Sequence, residues 1–308
     1  MLTEEQIKER VHYLGGSEAA AVLGLSRWKT PLQVWAEKTG LIQPEQVDNL
    51  AVEVGNELEE LVAKLFSKRT GKKVHRVTET VFHPVHQFLG ANLDRRVVGE
   101  DAILECKAVG AWAAKEWAGE DVPQEYVLQC LHYLAVTGKQ RAYIAVLVGG
   151  NREFKWKVVE RDEKMIQEIV SREVAFWKGF IETKIMPKLI TRDDSDTLFK
   201  LFPNGDDGAQ IVLGDEADKI VESIKSLQQD AILLDGTIEK EKNALKAMLG
   251  GNAVAITGRF KITWKNQVTN RIDVEGLKSN HPELCAAYVK PAVSRTLRMT
   301  EIKKTEEK

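Results

Sequence analysis

Cysteine is scarce. Cys106, Cys130 and Cys285 are the only three in 308 residues, and no two form a CxxC pair. That spacing excludes zinc fingers and a disulfide framework and fits a reducing compartment. No apolar run approaches the ~18 residues of a membrane span. The first residues carry charge where a secretory signal would need an apolar core. The expectation is a cytoplasmic protein with no membrane attachment. Internal repeats and low-complexity segments are missing as well. So is an excess of either charge: 44 Lys and Arg stand against 46 Asp and Glu, for a net charge of −2. A globally basic, histone-like binder is excluded, although a basic groove is compatible with a neutral total. What is present is ordinary: 43% hydrophobic and 29% charged residues describe a globular chain with one or two cores.

The chemistry concentrates between Leu93 and Lys107, LDRRVVGEDAILECK. The segment reads as two short strands joined by a turn at Gly99-Glu100-Asp101. Side chains alternate along a strand, so Ile103, Glu105 and Lys107 share one face and Leu104, Cys106 and Ala108 the other. With a two-residue Gly-first loop at Gly99-Glu100, register counting sets Asp94 opposite Glu105. Opposed residues have Cβ atoms roughly 4.5–5.5 Å apart. Carboxylates that close repel unless a cation lies between them or one takes a proton. Asp94…Glu105-x-Lys107 is also the D-(x)n-E-x-K arrangement of restriction-endonuclease-like nucleases. Acid oxygens, helped by the Cys106 backbone carbonyl, suit a hard divalent cation. Such a cation polarises a phosphate and acidifies an attacking water. Lys107 can orient or deprotonate that water. On these residues alone, a surface salt-bridge ladder is the competing reading.

Around this hairpin the chain alternates helices and strands. Residues 3–10 read as a short helix capped by Thr3. Gly15-Gly16-Ser17-Glu18 leads into a helix with Gly16 or Ser17 as cap, which is either plain capping or a phosphate site. Pro31 opens a helix ending before Gly40. Residues 51–69 form an amphipathic helix with Leu58, Leu61, Val62, Leu65 and Phe66 on its apolar stripe. Glu59 lies at the stripe edge, either a solvated flank or an acid reaching into a cleft, and Glu60 points to the opposite side. Residues 73–84 read as one strand, 124–137 as a helix, 141–149 and 154–160 as paired strands, and 162–183 as a helix. Residues 191–210 read as a polar linker. Beyond it, Ile220, Ile224, Leu227, Ala231, Leu234, Ile238, Leu245 and Met248 step by four and three with one gap. That seam fits a helical hairpin, a partner coiled coil, or a domain helix packing on a neighbour. A β-hairpin turning at Gly258-Arg259 and a helical piece around Val274–Val289 follow.

GGSEAAAVLGLSRWKTPLQVWAEKTG, VGNELEELVAKLF, LGANLDRRV, LECKA and EYVLQCLHYLAVTG resemble, in this order and spacing, the YqaJ-like viral recombinases, relatives of the phage lambda exonuclease. The resemblance covers about residues 8–183. It implies an α/β fold, a mixed sheet flanked by helices around a PD-(D/E)XK nuclease core, at residues 1–190. A linker at 191–210 and a C-terminal helical and β-hairpin extension at 211–308 complete the expected domains. By resemblance Asp94 and Glu105 hold the metal with the Cys106 carbonyl, and Lys107 is the catalytic lysine. Glu59 takes the place of a helix-borne acid near the metal, and Gln129 that of a supporting glutamine. Arg10, Gly16 and Ser17 match the turn that holds a 5′ phosphate; the lambda enzyme carries alanine at the position of Gly16.

The implied activity is a Mg2+-dependent 5′→3′ exonuclease, with Mn2+ as substitute. It would act on linear double-stranded DNA ends and leave 3′ overhangs for a single-strand annealing protein. The implied assembly is a homo-oligomer, a trimer in processive members. Trp28, Trp112 and Trp117 are candidate stacking platforms or core residues. Lys29, Arg95, Arg96 and Lys115 are candidate phosphate contacts or solvated charges. The alternatives are a DNA endonuclease of the same fold and a DNA-end-binding scaffold that recruits an annealing protein. Iron–sulfur nucleases of this fold would need a cysteine cluster that the chain does not supply.

Overall fold

The computed structural model describes residues 9–44, 50–149, 153–188, 191–206, 208–290 and 294–301. Chain contacts divide it into two units, Met1–Pro203 and Asn204–Lys308. The first begins with β1 (Leu14–Gly15), α1 (Gly16–Val22), α2 (Pro31–Lys38) and α3 (Leu50–Thr70). Five strands follow: β2 (Val74–Arg76), β3 (Val81–Phe82), β4 (Leu89–Ala91), β5 (Arg95–Val97) and β6 (Ala102–Val109). Then come α4 (Gln124–Thr137), β7 (Arg141–Val148), β8 (Glu153–Glu160), α5 (Glu163–Phe176) and α6 (Ser195–Leu201).

The main sheet has the order β2-β5-β6-β7-β8, with only β6 and β7 parallel. Its alternating pattern sends side chains to two apolar layers. Leu104 and Cys106 of β6 pack with Val62, Ala63 and Phe66 of α3. Ile103 joins the opposite layer with Leu131 and Leu134 of α4. The expected face-sharing along β6 therefore holds. The α/β architecture, a mixed sheet between helices, is as expected. One member of the α3 stripe departs: Leu61 is 42% exposed.

A second sheet, β1-β4-β3, positions the entry to the hairpin. β1 and β4 run parallel, pairing Leu14 with Leu89 and Gly15 with Gly90. The pairing is close because Gly90 has no side chain; a Cβ there would lie 2.5 Å from the Tyr13 ring. Residues 73–84, read as one strand, instead form β2 and β3 in two different sheets. The break is fixed by Thr80, whose hydroxyl donates to Asn92 Oδ1 (2.8 Å), and by Val77 N–H, which donates to the Asp94 carbonyl (3.3 Å). The helix expected at 3–10 lies largely outside the described residues; Arg10–His12 form a 3-10 turn.

Part of the segment read as linker is folded. Arg192–Asp194 make a 3-10 turn, Asp194 is fully buried, and the Thr30 hydroxyl donates to its carboxylate. In the second unit, α7 (Asp215–Leu249) is one continuous helix of 35 residues, about 52 Å long at 1.5 Å per residue. No hairpin interrupts it, and Ile220, Leu227 and Leu234 of its seam are 56–64% exposed. β9 (Val254–Ile256) and β10 (Lys261–Thr263) form the expected hairpin around Gly258-Arg259. The last helical piece is split into α8 (Val274–Asn280) and α9 (Pro282–Tyr288), since Pro282 cannot continue the helix before it. Among the described residues no helix is long and apolar enough to cross a membrane.

Candidate active site

β5 and β6 pair antiparallel with Arg95 opposite Leu104 and Arg96 opposite Ile103. Extending that register by one residue sets Asp94 opposite Glu105, as the turn counting requires. Gly99 adopts φ +80° in the connecting turn, a conformation glycine reaches without strain. Asp94 sits in the bend just before β5. Its Oδ2 accepts the Cys106 N–H at 2.7 Å. A strand residue presents its N–H and C=O to the same edge, so the Cys106 carbonyl faces the Asp94 side too.

Glu105 is 4% exposed. Gln129 Nε2 donates to its Oε1 at 2.7 Å, and Lys107 Nζ reaches the same oxygen at 2.8 Å. Both donors fall on one oxygen. Asp94 Oδ1 and Glu105 Oε2 therefore take no hydrogen bond from any described residue. Burial, then the Glu105 and Glu59 carboxylates, push the Asp94 carboxyl up to about 8. Lys107 behaves in the opposite sense. Burial pulls it down, but Glu105 and Asp94 outweigh that and hold the ammonium charged well above its ordinary range. The Tyr126 ring lies 5.2 Å from Lys107 Nζ.

Glu59 approaches from α3, on the other face of the sheet. Arg95, 3% exposed, donates from Nη1 to Glu59 Oε1 (2.6 Å) and to the Asp94 carbonyl (2.7 Å). Its Nη2 reaches Glu60 Oε2 at 2.9 Å. This corrects two expectations. Arg95 is a buried organiser rather than a phosphate contact, and Glu60 turns to the same guanidinium as Glu59. With Glu59 held on Arg95, no three acidic, His or Cys side chains among the described residues converge on one ion as placed.

The N-terminal turn meets these residues in one cavity of about 210 Å³, where Arg10, Gly16 and Ser17 share the lining with Glu59, Asp94 and Gln129. Arg10 Nη2 donates to Ser17 Oγ at 2.6 Å. The cap of α1 is Gly15, one residue earlier than expected, because its N–H donates to Glu18 Oε2 at 3.0 Å. Burial opposes the charge on Glu18, but Lys38, at 2.8 Å, and Arg10 hold its carboxyl down at about 2.

Sequence reasoning missed Tyr133. Its hydroxyl accepts from Gln129 Nε2 at 3.0 Å, and its ring fills the space where a Gly16 side chain would be. The i,i+4 spacing of Gln129 and Tyr133 on α4 was the available signal. The remaining candidates divide. Trp117 is fully buried; Trp28 and Trp112 are exposed. Lys29 pairs with Glu37 at 2.6 Å and Arg96 with Glu79 at 3.6 Å, while Lys115 is exposed.

Over 59% of the chain the architecture resembles that of an alkaline exonuclease. The structure of such an enzyme from Laribacter hongkongensis matches with a TM-score of 0.52 at 25% identity, covering 59% of this chain and 94% of that one. A structure of the same enzyme with dAMP matches at 0.53 and 26% identity over the same shares. Residues 7–140 match the model of the YqaJ-like viral recombinase domain. The uncharacterized protein YqaJ of Bacillus subtilis (strain 168) is 34% identical over 305 residues, 98% of this chain and 95% of that protein. The chain belongs to the YqaJ-like viral recombinase family.

Proposed function

We propose that this protein is a Mg2+-dependent 5′→3′ exonuclease on linear double-stranded DNA, producing 3′ overhangs. The observation that carries the reading is the shared cavity, whose lining includes Arg10, Gly16 and Ser17 of the N-terminal turn together with Glu59, Asp94 and Gln129. A nuclease that starts from an end needs its phosphate grip and its cutting groups within one substrate's reach.

The donor set fits a hard divalent cation. Asp94, Glu105, the Cys106 carbonyl and Glu59 would hold it, and Asp94 Oδ1 and Glu105 Oε2 accept no hydrogen bond from any described residue. Burial first, and then the Glu105 and Glu59 carboxylates, raise the proton affinity of Asp94, which a bound cation would offset. When bound, the cation supplies charge neutralisation at the phosphate and a more acidic water. The protein's own residues do the rest. Lys107, kept charged by Glu105 and Asp94, donates to an attacking water or a phosphate oxygen and orients it. This favours orientation over proton abstraction. Gln129 cannot titrate; it fixes the Glu105 carboxylate and is itself fixed by Tyr133. Arg10 and Ser17 receive the 5′ phosphate through a charged donor and a hydroxyl.

The partner expected for the product is a single-strand annealing protein, and the exposed heptad seam of α7 suits self-association into a homo-oligomer. Glu105→Ala and Lys107→Ala test the cutting centre. Each is expected to abolish cleavage of linear duplex while leaving DNA affinity within a few-fold of the parent protein. Retained turnover in either variant would place the chemistry elsewhere.

A further inference from the structure

Trp28 and Trp112 are 63% and 65% exposed, yet neither hangs loosely in solvent. Trp28 lies in the turn between α1 and α2, where Ser26 Oγ accepts both the Trp28 N–H (3.0 Å) and the Lys29 N–H (3.3 Å). Trp112 lies in the 3-10 turn after β6, folded over Gly110; a Cβ on Gly110 would sit 2.6 Å from its Nε1. The two rings meet edge to face with centroids 6.4 Å apart. The Arg27 guanidinium lies over both, at 5.0 and 5.7 Å from their centroids.

Arg27 is anchored in turn. Its Nη1 and Nη2 donate to the two Glu116 oxygens at 2.7 Å each, and its Nε lies 3.3 Å from Glu125 Oε2. The Arg27 backbone N–H donates to Glu125 Oε1 at 2.6 Å. Two large aromatic faces are thus held out of the core by a fixed polar frame. Since these carboxylates engage the guanidinium, Arg27 is poorly placed to grip a phosphate, and the offered surface is the rings.

The position is also informative. Glu125 precedes Tyr126, whose ring lies against Lys107. Trp112 follows Lys107 by five residues, so their Cα atoms are at most roughly 18 Å apart. At 3.4 Å per stacked nucleotide that is about five nucleotides. A planar apolar ligand reached from a phosphodiester site within that distance is a nucleobase. Bases inside a duplex have no free face, so the ligand is an unpaired one.

We propose that Trp28 and Trp112, framed by Arg27, form a stacking site for unpaired nucleobases of a DNA strand at the candidate catalytic centre. The inference rests on the nuclease reading. The test uses the full chain without divalent cation and fluorescently labelled duplexes bearing a five-nucleotide single-stranded tail of either polarity. Each is compared with the same duplex carrying an abasic tail. Base–aromatic stacking predicts that the normal tail binds tighter, by roughly 5- to 150-fold per stacked base. In Trp28→Ala/Trp112→Ala that ratio falls to about one while abasic-tail affinity stays unchanged; Trp28→Phe/Trp112→Phe keeps most of it. The tail polarity that shows the effect identifies the strand. If the alanine pair does not fold, the single Gln variants at each position carry the test, each lowering the ratio. A ratio that survives removal of both rings overturns the proposal. So does a wild-type ratio of one from a protein that still cuts linear duplex with Mg2+. Failure to bind or cut any duplex overturns the nuclease reading instead.

Discussion

Gly16→Ala is the smallest change that tests how the two halves of the site are joined. A methyl group there would lie 2.5 Å from Tyr133 Cε1, 2.9 Å from Cδ1 and 3.0 Å from Cζ. Tyr133 is 5% exposed, so its ring cannot swing into solvent. Overpacking a filled core costs about 1–3 kcal/mol. At about 2–4 °C per kcal/mol for a unit of this size, the melting temperature should fall by roughly 2–12 °C. The functional effect should be larger than that loss explains. Displacing Tyr133 releases its hydrogen bond to Gln129, and Gln129 is what fixes Glu105. Cleavage at a temperature where the variant is fully folded should therefore drop several-fold, with Gly16→Ala/Tyr133→Leu regaining melting temperature but not rate. Thermal denaturation and single-turnover cleavage of end-labelled duplex read the two effects separately. An unchanged melting temperature together with an unchanged rate would refute the close packing and its coupling to Glu105.

Arg95→Met removes the guanidinium that Glu59, Glu60 and the Asp94 carbonyl share. Breaking a buried pair on one side costs about 3–5 kcal/mol, and the exposure of Glu60 trims this toward about 3 kcal/mol in urea denaturation. A loss under 1 kcal/mol would show that Arg95 is dispensable. Asp94 gives a pH signature in the metal-free protein. Its carboxyl is raised from an ordinary 3.8 to about 8. The folded state therefore holds the proton more tightly, and this contribution is complete below about 4 and lost as pH rises through 8. A divalent cation should replace that proton. Calorimetry at pH 6.5 in buffers of different ionisation enthalpy should show proton release on Mg2+ binding, and Asp94→Asn should abolish it. Binding without proton release would contradict the assignment.

The candidate catalytic hairpin was legible because strand alternation and turn length are short-range rules. The face-sharing of Glu105 and Lys107 and the Asp94–Glu105 register follow from period-two geometry and one glycine. Glu59 was ambiguous for a physical reason: a residue at the edge of a helix stripe is placed by whatever cation lies across from it. Here that cation is Arg95, from a strand 36 residues away. The same long-range pairing pulled Glu60 around against its helical angle. Residues 73–84 read as one strand because local propensity does not register that two sheets compete for one segment. Burial of Asp194 was hidden because an acid-rich stretch looks solvated until its partner, Thr30, is known. In α7 the heptad seam was visible, but spacing alone does not separate one long helix from two short ones.

In the proposed function the Arg10–Ser17 turn and the Asp94–Glu105–Lys107 centre act together on a DNA end. The direct measurement incubates the protein and Mg2+ with 5′-phosphorylated linear duplex, labelled at either end, beside a covalently closed circle. The linear DNA should shorten from its 5′ ends while the circle stays intact, and Arg10→Ala should digest the linear DNA much more slowly. Cleavage of the closed circle would contradict the proposed function.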